Sequence, residues 1–191
     1  MNETINTNDN MGATLTRSGG IAESFLAPEA LYTVQCVRDG KVIWEDSFHN
    51  TVMTLGKNDV LNKYFSNTAA GACYLGLISS TGYSAIAAAD TMASHVGWTE
   101  AGNANAPTYT APRKTLTAAW AAASSGSMST SSAQSFAITG SGTLKGAFIN
   151  IGGSSTIDNT TGLLYSAGLF SGGDRAVING DTLNVTVTLS A

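Results

Sequence analysis

The stretch from Leu163 to the C-terminus constrains the fold most. Two runs in which apolar residues interchange with small or polar ones, Leu163 to Phe170 and Thr182 to Leu189, flank a connection rich in Gly, Asp and Asn. A period of two sends alternate side chains to opposite faces of a sheet, and Gly, Asp and Asn tolerate the backbone angles of turns. The pattern predicts antiparallel strands of a small β-sandwich. It describes a scaffold and carries no chemistry.

Upstream runs repeat the signal. Leu31 to Phe48 reads LYTVQCVRDGKVIWEDSF, two alternating runs around Asp39-Gly40. Asp-Gly accepts the positive φ values of a type I′ turn, so a hairpin is predicted, with Tyr32, Val34 and Cys36 on one face. Trp44 reads as a core or edge aromatic. In TLGKNDVLNKYF, Leu55, Val60, Leu61, Tyr64 and Phe65 fall at helical spacing behind Thr54 as N-cap, which predicts a short helix over the end of the sandwich. Ala72 to Ser79 is a continuous apolar run and reads as a buried strand. Ala87 to Ser94 reads as a helical turn leading into a strand or edge at Trp98, and Ala101 to Pro112 as a loop broken by Gly, Asn and Pro. Arg113 to Ala122, Gln134 to Thr139 and Leu144 to Ile151 add three strands between Ser/Gly tracts. The expectation is a mostly β chain, an antiparallel sandwich or jelly roll of about eight strands over residues 31–191, with one or two short helices. Residues 1–30 form an arm that lacks periodicity. Its apolar residues Ile5, Leu15, Ile21, Phe25 and Leu26 are candidate anchors on a neighbouring subunit, and the segment is either a flexible tail or an arm that orders on docking.

Charge narrows the partners. The 191 residues hold 9 Lys and Arg against 13 Asp and Glu, a net charge of -4, which lacks the basic footprint of a nucleic-acid binder. Only 12% of residues are charged, so solubility rests on hydroxyls and amides. No apolar run approaches the roughly 20 residues of a membrane helix, and MNETINTNDNMG lacks the basic and apolar segments of a secretory signal. Synthesis and assembly in a cytoplasm are therefore expected. The sequons at Asn159 and Asn184 carry no meaning in that setting.

Candidate chemistry is sparse. Cys36 and Cys73 lie in apolar runs and read as buried free thiols. With His49 and His95 they show no ligand spacing, so no metal is expected. TGSGTLKG, Thr139 to Gly146, resembles a phosphate loop, but LKGAFINI after it is strand-like and offers no helix N-terminus. Asp90, Glu100, Asp174 and Asp181 show no spacing that pairs two carboxylates, and Asp174 beside Arg175 reads as a turn with a local ion pair. No enzymatic activity and no cofactor are expected.

YLGLISS (Tyr74 to Ser80), ADTMASHVGWTE (Ala89 to Glu100), a loop from Tyr109 to Arg113, KGAFINI (Lys145 to Ile151) and LYSAGLFSGGDRAVINGDTLNVTVTL together resemble small structural proteins of tailed bacteriophages. The likeness spans about Leu31 to Ala191. It implies a virion protein without a catalytic motif, in which Gly97, Gly146 and Gly168 permit close backbone approach and Trp98 supplies buried area. Two placements follow. One is a decoration or cement protein on the outer capsid surface, a dimer or trimer that bridges major capsid subunits with its arm. The other is a tail-fibre or head-fibre component that binds a host-surface glycan through loops 101–112 and 124–132, with Tyr109 as a stacking residue.

Overall fold

The computed structural model describes residues 29–65 and 69–190. Along the chain lie β1 (Glu29–Arg38), β2 (Lys41–His49), β3 (Thr51–Val52), α1 (Thr54–Phe65), β4 (Cys73–Ser79), β5 (Thr108–Tyr109), β6 (Lys114–Thr115), β7 (Ser127–Ser129), β8 (Gln134–Gly140), β9 (Gly142–Ile151), β10 (Leu163–Leu169), β11 (Arg175–Val177) and β12 (Thr182–Ser190). They form two antiparallel sheets. The first has the order β2-β1-β12-β8-β5, with β7 beside β12, and the second β3-β10-β9-β4-β6, with β11 beside β9. Among the described residues, seven long strands carry the sandwich and five strands of two or three residues extend it.

The β1–β2 hairpin turns as its sequence predicts. Arg38 pairs with Lys41, and Asp39 and Gly40 have φ of 48° and 73°, both positive as a type I′ turn requires. Tyr32, Val34 and Cys36 share the inward face and are fully buried. Further along, Cys36 faces Trp44 while Val37 faces Val42, so Ile43 is an extra residue, a bulge on an edge strand.

The core has two layers. Between the sheets, Tyr32, Val34, Phe136, Val185 and Val187 meet Leu75, Leu77, Ala147 and Ile149. On the far face of the second sheet, Ile78, Phe148, Leu164 and Ala167 pack against Met53, Met92 and Trp98. Residues 80–100 thus cover a face that would otherwise meet water, and this explains why β4 is a continuous apolar run. Burying a side chain the size of Phe148 contributes about 1.5–3 kcal/mol.

The two C-terminal runs are both antiparallel strands, as their alternation predicts, and they fall in different sheets. β10 lies in the second sheet and β12 in the first, so their connection crosses between layers and carries β11 on the way. Other elements depart from the sequence reading. Ala87 to Ser94 makes turns instead of a helix: Asp90 N–H donates to Ala87 O, and Thr91 and Ser94 exchange backbone bonds at 3.0 and 3.2 Å. The Asp90 carboxylate accepts from the Ala87 amide at 2.9 Å, the local competition by which Asp draws a backbone out of helix. Of Arg113 to Ala122 only Lys114 and Thr115 pair as strand. The first bond of α1 runs from Lys57 N–H to Met53 O, so Met53 takes the cap position and Thr54 is the first helical residue. Leu55 is exposed, and the helix approaches β10 through Gly56, where a Cβ would lie 2.5 Å from Tyr165 O.

Candidate functional site

The segment that covers the second sheet is built around a stack of four side chains. His95 lies 4.0 Å from Trp98, Trp98 lies 5.3 Å from Phe148, and the Arg113 guanidinium sits 5.4 Å from the Phe148 ring centre. Trp98 is 1% exposed and its indole N–H donates to Asp90 at 3.0 Å. Glycines open the space for the stack. A Cβ on Gly76 would lie 2.3 Å from Phe148 Cζ, and one on Gly97 would lie 2.2 Å from Ala85 O. Gly146 lies opposite Leu169 across β9 and β10, where a Cβ would fall 1.8 Å from the Gly168 carbonyl. The glycines and the tryptophan singled out in the sequence therefore serve close approach and burial.

Beneath the stack lies an ion pair that sequence reasoning missed. Arg113, 1% exposed, donates through Nε to Glu100 Oε1 at 2.8 Å and through Nη2 to Oε2 at 2.6 Å. Its remaining donors reach the carbonyls of Ser154 and Asn159 at 2.9 and 2.8 Å. Glu100 Oε2 also accepts from the Asp158 amide at 2.8 Å. Burial pushes the Glu100 carboxyl up, and Arg113 and the Asp158 N–H oppose that rise. The fork geometry ties loop 100–113 to loop 154–159. Its only sequence signal is two charges in a chain that carries few, 13 residues apart across a loop.

Beside the pair opens a cleft of about 200 Å³, lined by Met92, His95, Thr99, Asn105, Asp158 and Thr160 among others. His95 Nδ1 lies 2.9 Å from Trp98 O. A carbonyl can only accept, so Nδ1 carries the proton and, in the neutral ring, Nε2 is the acceptor. Both oxygens of Glu100 are engaged, and Asp158 Oδ2 accepts from Asn103 Nδ2 and Ala104 N–H at 3.2 Å each. The described lining contains no serine or cysteine to act as a nucleophile with His95. The cleft sets amide, hydroxyl and imidazole groups into a wall whose exposed surface is mostly apolar.

Other candidates are placed as follows. Ile5, Leu15, Ile21, Phe25 and Leu26 lie outside the described residues. Tyr109 corrects the expectation of a stacking residue: it is 3% exposed, lies edge-on to Phe136 with ring centres 4.9 Å apart, and its hydroxyl is buried without a partner among the described residues. Its alternation with Thr108 on β5 turns it into the core. Loop 124–132 contains β7, which pairs with β12. Arg175 does not pair with Asp174. It donates to Asp46 at 2.8 Å, and Asp174 takes Lys145 at 2.6 Å, because β11 turns Arg175 toward the edge strand β2. Burial opposes ionisation of Asp46, but Ser171, Arg175 and the amides of Gly172 and Ser47 prevail and hold its carboxyl down at about 2. Asp181 is held low chiefly by Arg38, which donates at 2.7 and 2.9 Å. Cys36 and Cys73 are free thiols, each pushed up to about 12 by burial. Among the described residues no three His, Cys, Asp or Glu gather as metal ligands, and no helix is long and apolar enough to cross a membrane.

No protein-family model matches this chain, and no curated protein matches it.

Proposed function

We propose that this chain is a structural protein of a tailed bacteriophage virion, without enzymatic activity, that decorates the outer capsid surface as a dimer or trimer and bridges major capsid subunits. The observation that carries the proposal is the use made of the motif residues. Those that resemble phage structural proteins, Trp98, Glu100, Arg113, Gly146, Phe148 and Gly168, are spent on internal packing and internal ion pairing. Such residues stiffen a platform and leave the partner contacts to other parts of the chain. Residues 1–28 precede the first strand and are long enough to reach a neighbouring subunit. Many copies with modest contacts suffice to reinforce a shell.

The cleft beside His95 favours a second reading, a tail-fibre or head-fibre component that contacts a host-surface glycan, because it sets imidazole, amide and hydroxyl groups beside apolar surface, the mixture on which a sugar ring packs. Quantitative mass spectrometry of purified virions against the major capsid protein separates the two. A ratio near one copy per capsid subunit or per local threefold supports decoration. A few copies per particle supports the fibre, and absence from virions overturns both.

A further inference from the structure

We infer that Phe25 and Leu26 seat in an apolar groove of their own chain, where the N-terminal segment joins the sandwich. The groove, of about 220 Å³, lies between α1 and the sheets and is lined by Val60, Cys73, Ile149, Ile151, Tyr165 and Leu189, with Asp59 and Lys63 at its rim. Those two charges pair with each other, so the groove offers an incoming segment apolar surface and no unmatched charge.

Three observations point to this occupant. The first is position. β1 begins at Glu29 opposite Ser190, and Ala30 faces Leu189, which lines the groove. Neighbouring strands lie about 5 Å apart. Leu26 and Phe25 stand three and four residues before Glu29, a reach of at most about 10–14 Å. The second is composition. Phe25-Leu26-Ala27 is the most apolar stretch of the first 28 residues, and Pro28 after it has no N–H with which to lengthen the β1 ladder. The third is an open hydrogen-bond position at the junction. Asn50 accepts the Ala30 N–H through Oδ1 at 3.0 Å and donates its own backbone N–H to Ala30 O at 3.0 Å. Its Nδ2 is buried beside the Tyr32 hydroxyl and makes no well-formed hydrogen bond among the described residues. A carbonyl of the segment that precedes Glu29 would satisfy it. The inference does not depend on the virion reading. Under that reading it leaves Ile5, Leu15 and Ile21 for the neighbouring subunit.

Cys73 reports on the groove from within. In the full-length chain, the double variant Phe25→Ser/Leu26→Ser should label with a maleimide at Cys73 roughly tenfold faster or more than the parent, with Cys36 unchanged, each site read by peptide mass spectrometry. An unchanged Cys73 rate in a variant with parental circular dichroism overturns the inference. A Leu26→Cys variant tests the same point independently of reactivity. Oxidised as a mixture of ¹⁴N- and ¹⁵N-labelled chains, it should form a disulfide to Cys73 within single chains. Mixed-isotope disulfides would mean that the arm of a second copy fills the groove, and no disulfide to Cys73 would mean that neither does. Either result overturns docking within one chain.

Discussion

The two sheets of this sandwich are built to different rules. The first sheet buries one face: along β12, Leu183, Val185 and Val187 point inward and the residues between them are partly exposed. The second buries both, since β4, β9 and β10 each contain runs of five consecutive buried or nearly buried residues. A face covered by loops needs those loops held down, and the Glu100–Arg113 fork and the Trp98 stack hold them. The polar anchoring of the first sheet is different in kind, being placed at its margin, where Asp46 and Asp181 take arginines that remain partly exposed. The lesson is that a charge buried deep in this molecule marks where irregular chain must be fixed onto a sheet.

The largest effect should come from breaking the deep pair. Arg113→Ala leaves Glu100 buried and unmatched and should cost about 3–5 kcal/mol in denaturant unfolding. Equal stability in that variant would mean that the loops stay down without the fork. Asp46→Asn, at the margin, should cost about 1.5–3 kcal/mol near neutral pH. The Asp46 pKa is lowered on folding, so its contribution is complete above its ordinary value of 3.8 and fades as pH falls toward about 2. The gap between Asp46→Asn and the parent should therefore close across that window in acid titrations followed by fluorescence. Gly76→Ala drives a methyl into the Phe148 ring and should cost about 1–3 kcal/mol, read by thermal melting beside the parent. Thr33→Ala, on the exposed face of the first sheet, should stay within about 0.5 kcal/mol. A larger loss there would show that the first sheet is covered on both faces too.

The first sheet was the more legible in sequence, for the same reason. One solvated face writes alternation into β1, β2 and β12, and Asp39-Gly40 announces its own turn. The second sheet could be seen only as apolar runs, whose strand character was clear and whose partners were not. Nothing in such runs marks which layer a strand joins, and β10 and β12 belong to opposite layers. Within the cover formed by residues 80–100, Ala87 to Ser94 reads as a helical turn because its small residues have no strong period, and side-chain bonds such as Trp98 to Asp90 decide its path. The candidate site was less visible still. Tyr109 was placed on a loop that the sequence showed, but which way a tyrosine on a two-residue strand points depends on register. Glu100 and Arg113 meet only through the folded loops, so neither charge signals the other in the chain.

The bulge at Ile43 has a consequence for behaviour in crowded solution. A long unpaired strand at the rim of a sheet is a template onto which another copy can add, and repetition of that step makes fibres. Here β2 carries its extra residue near the hairpin turn, two positions from Lys41, and farther along turns Asp46 inward onto Arg175. Each disfavours a flat, matching strand alongside. The β2 edge is thus a poor template for a second copy adding strand to strand along this rim.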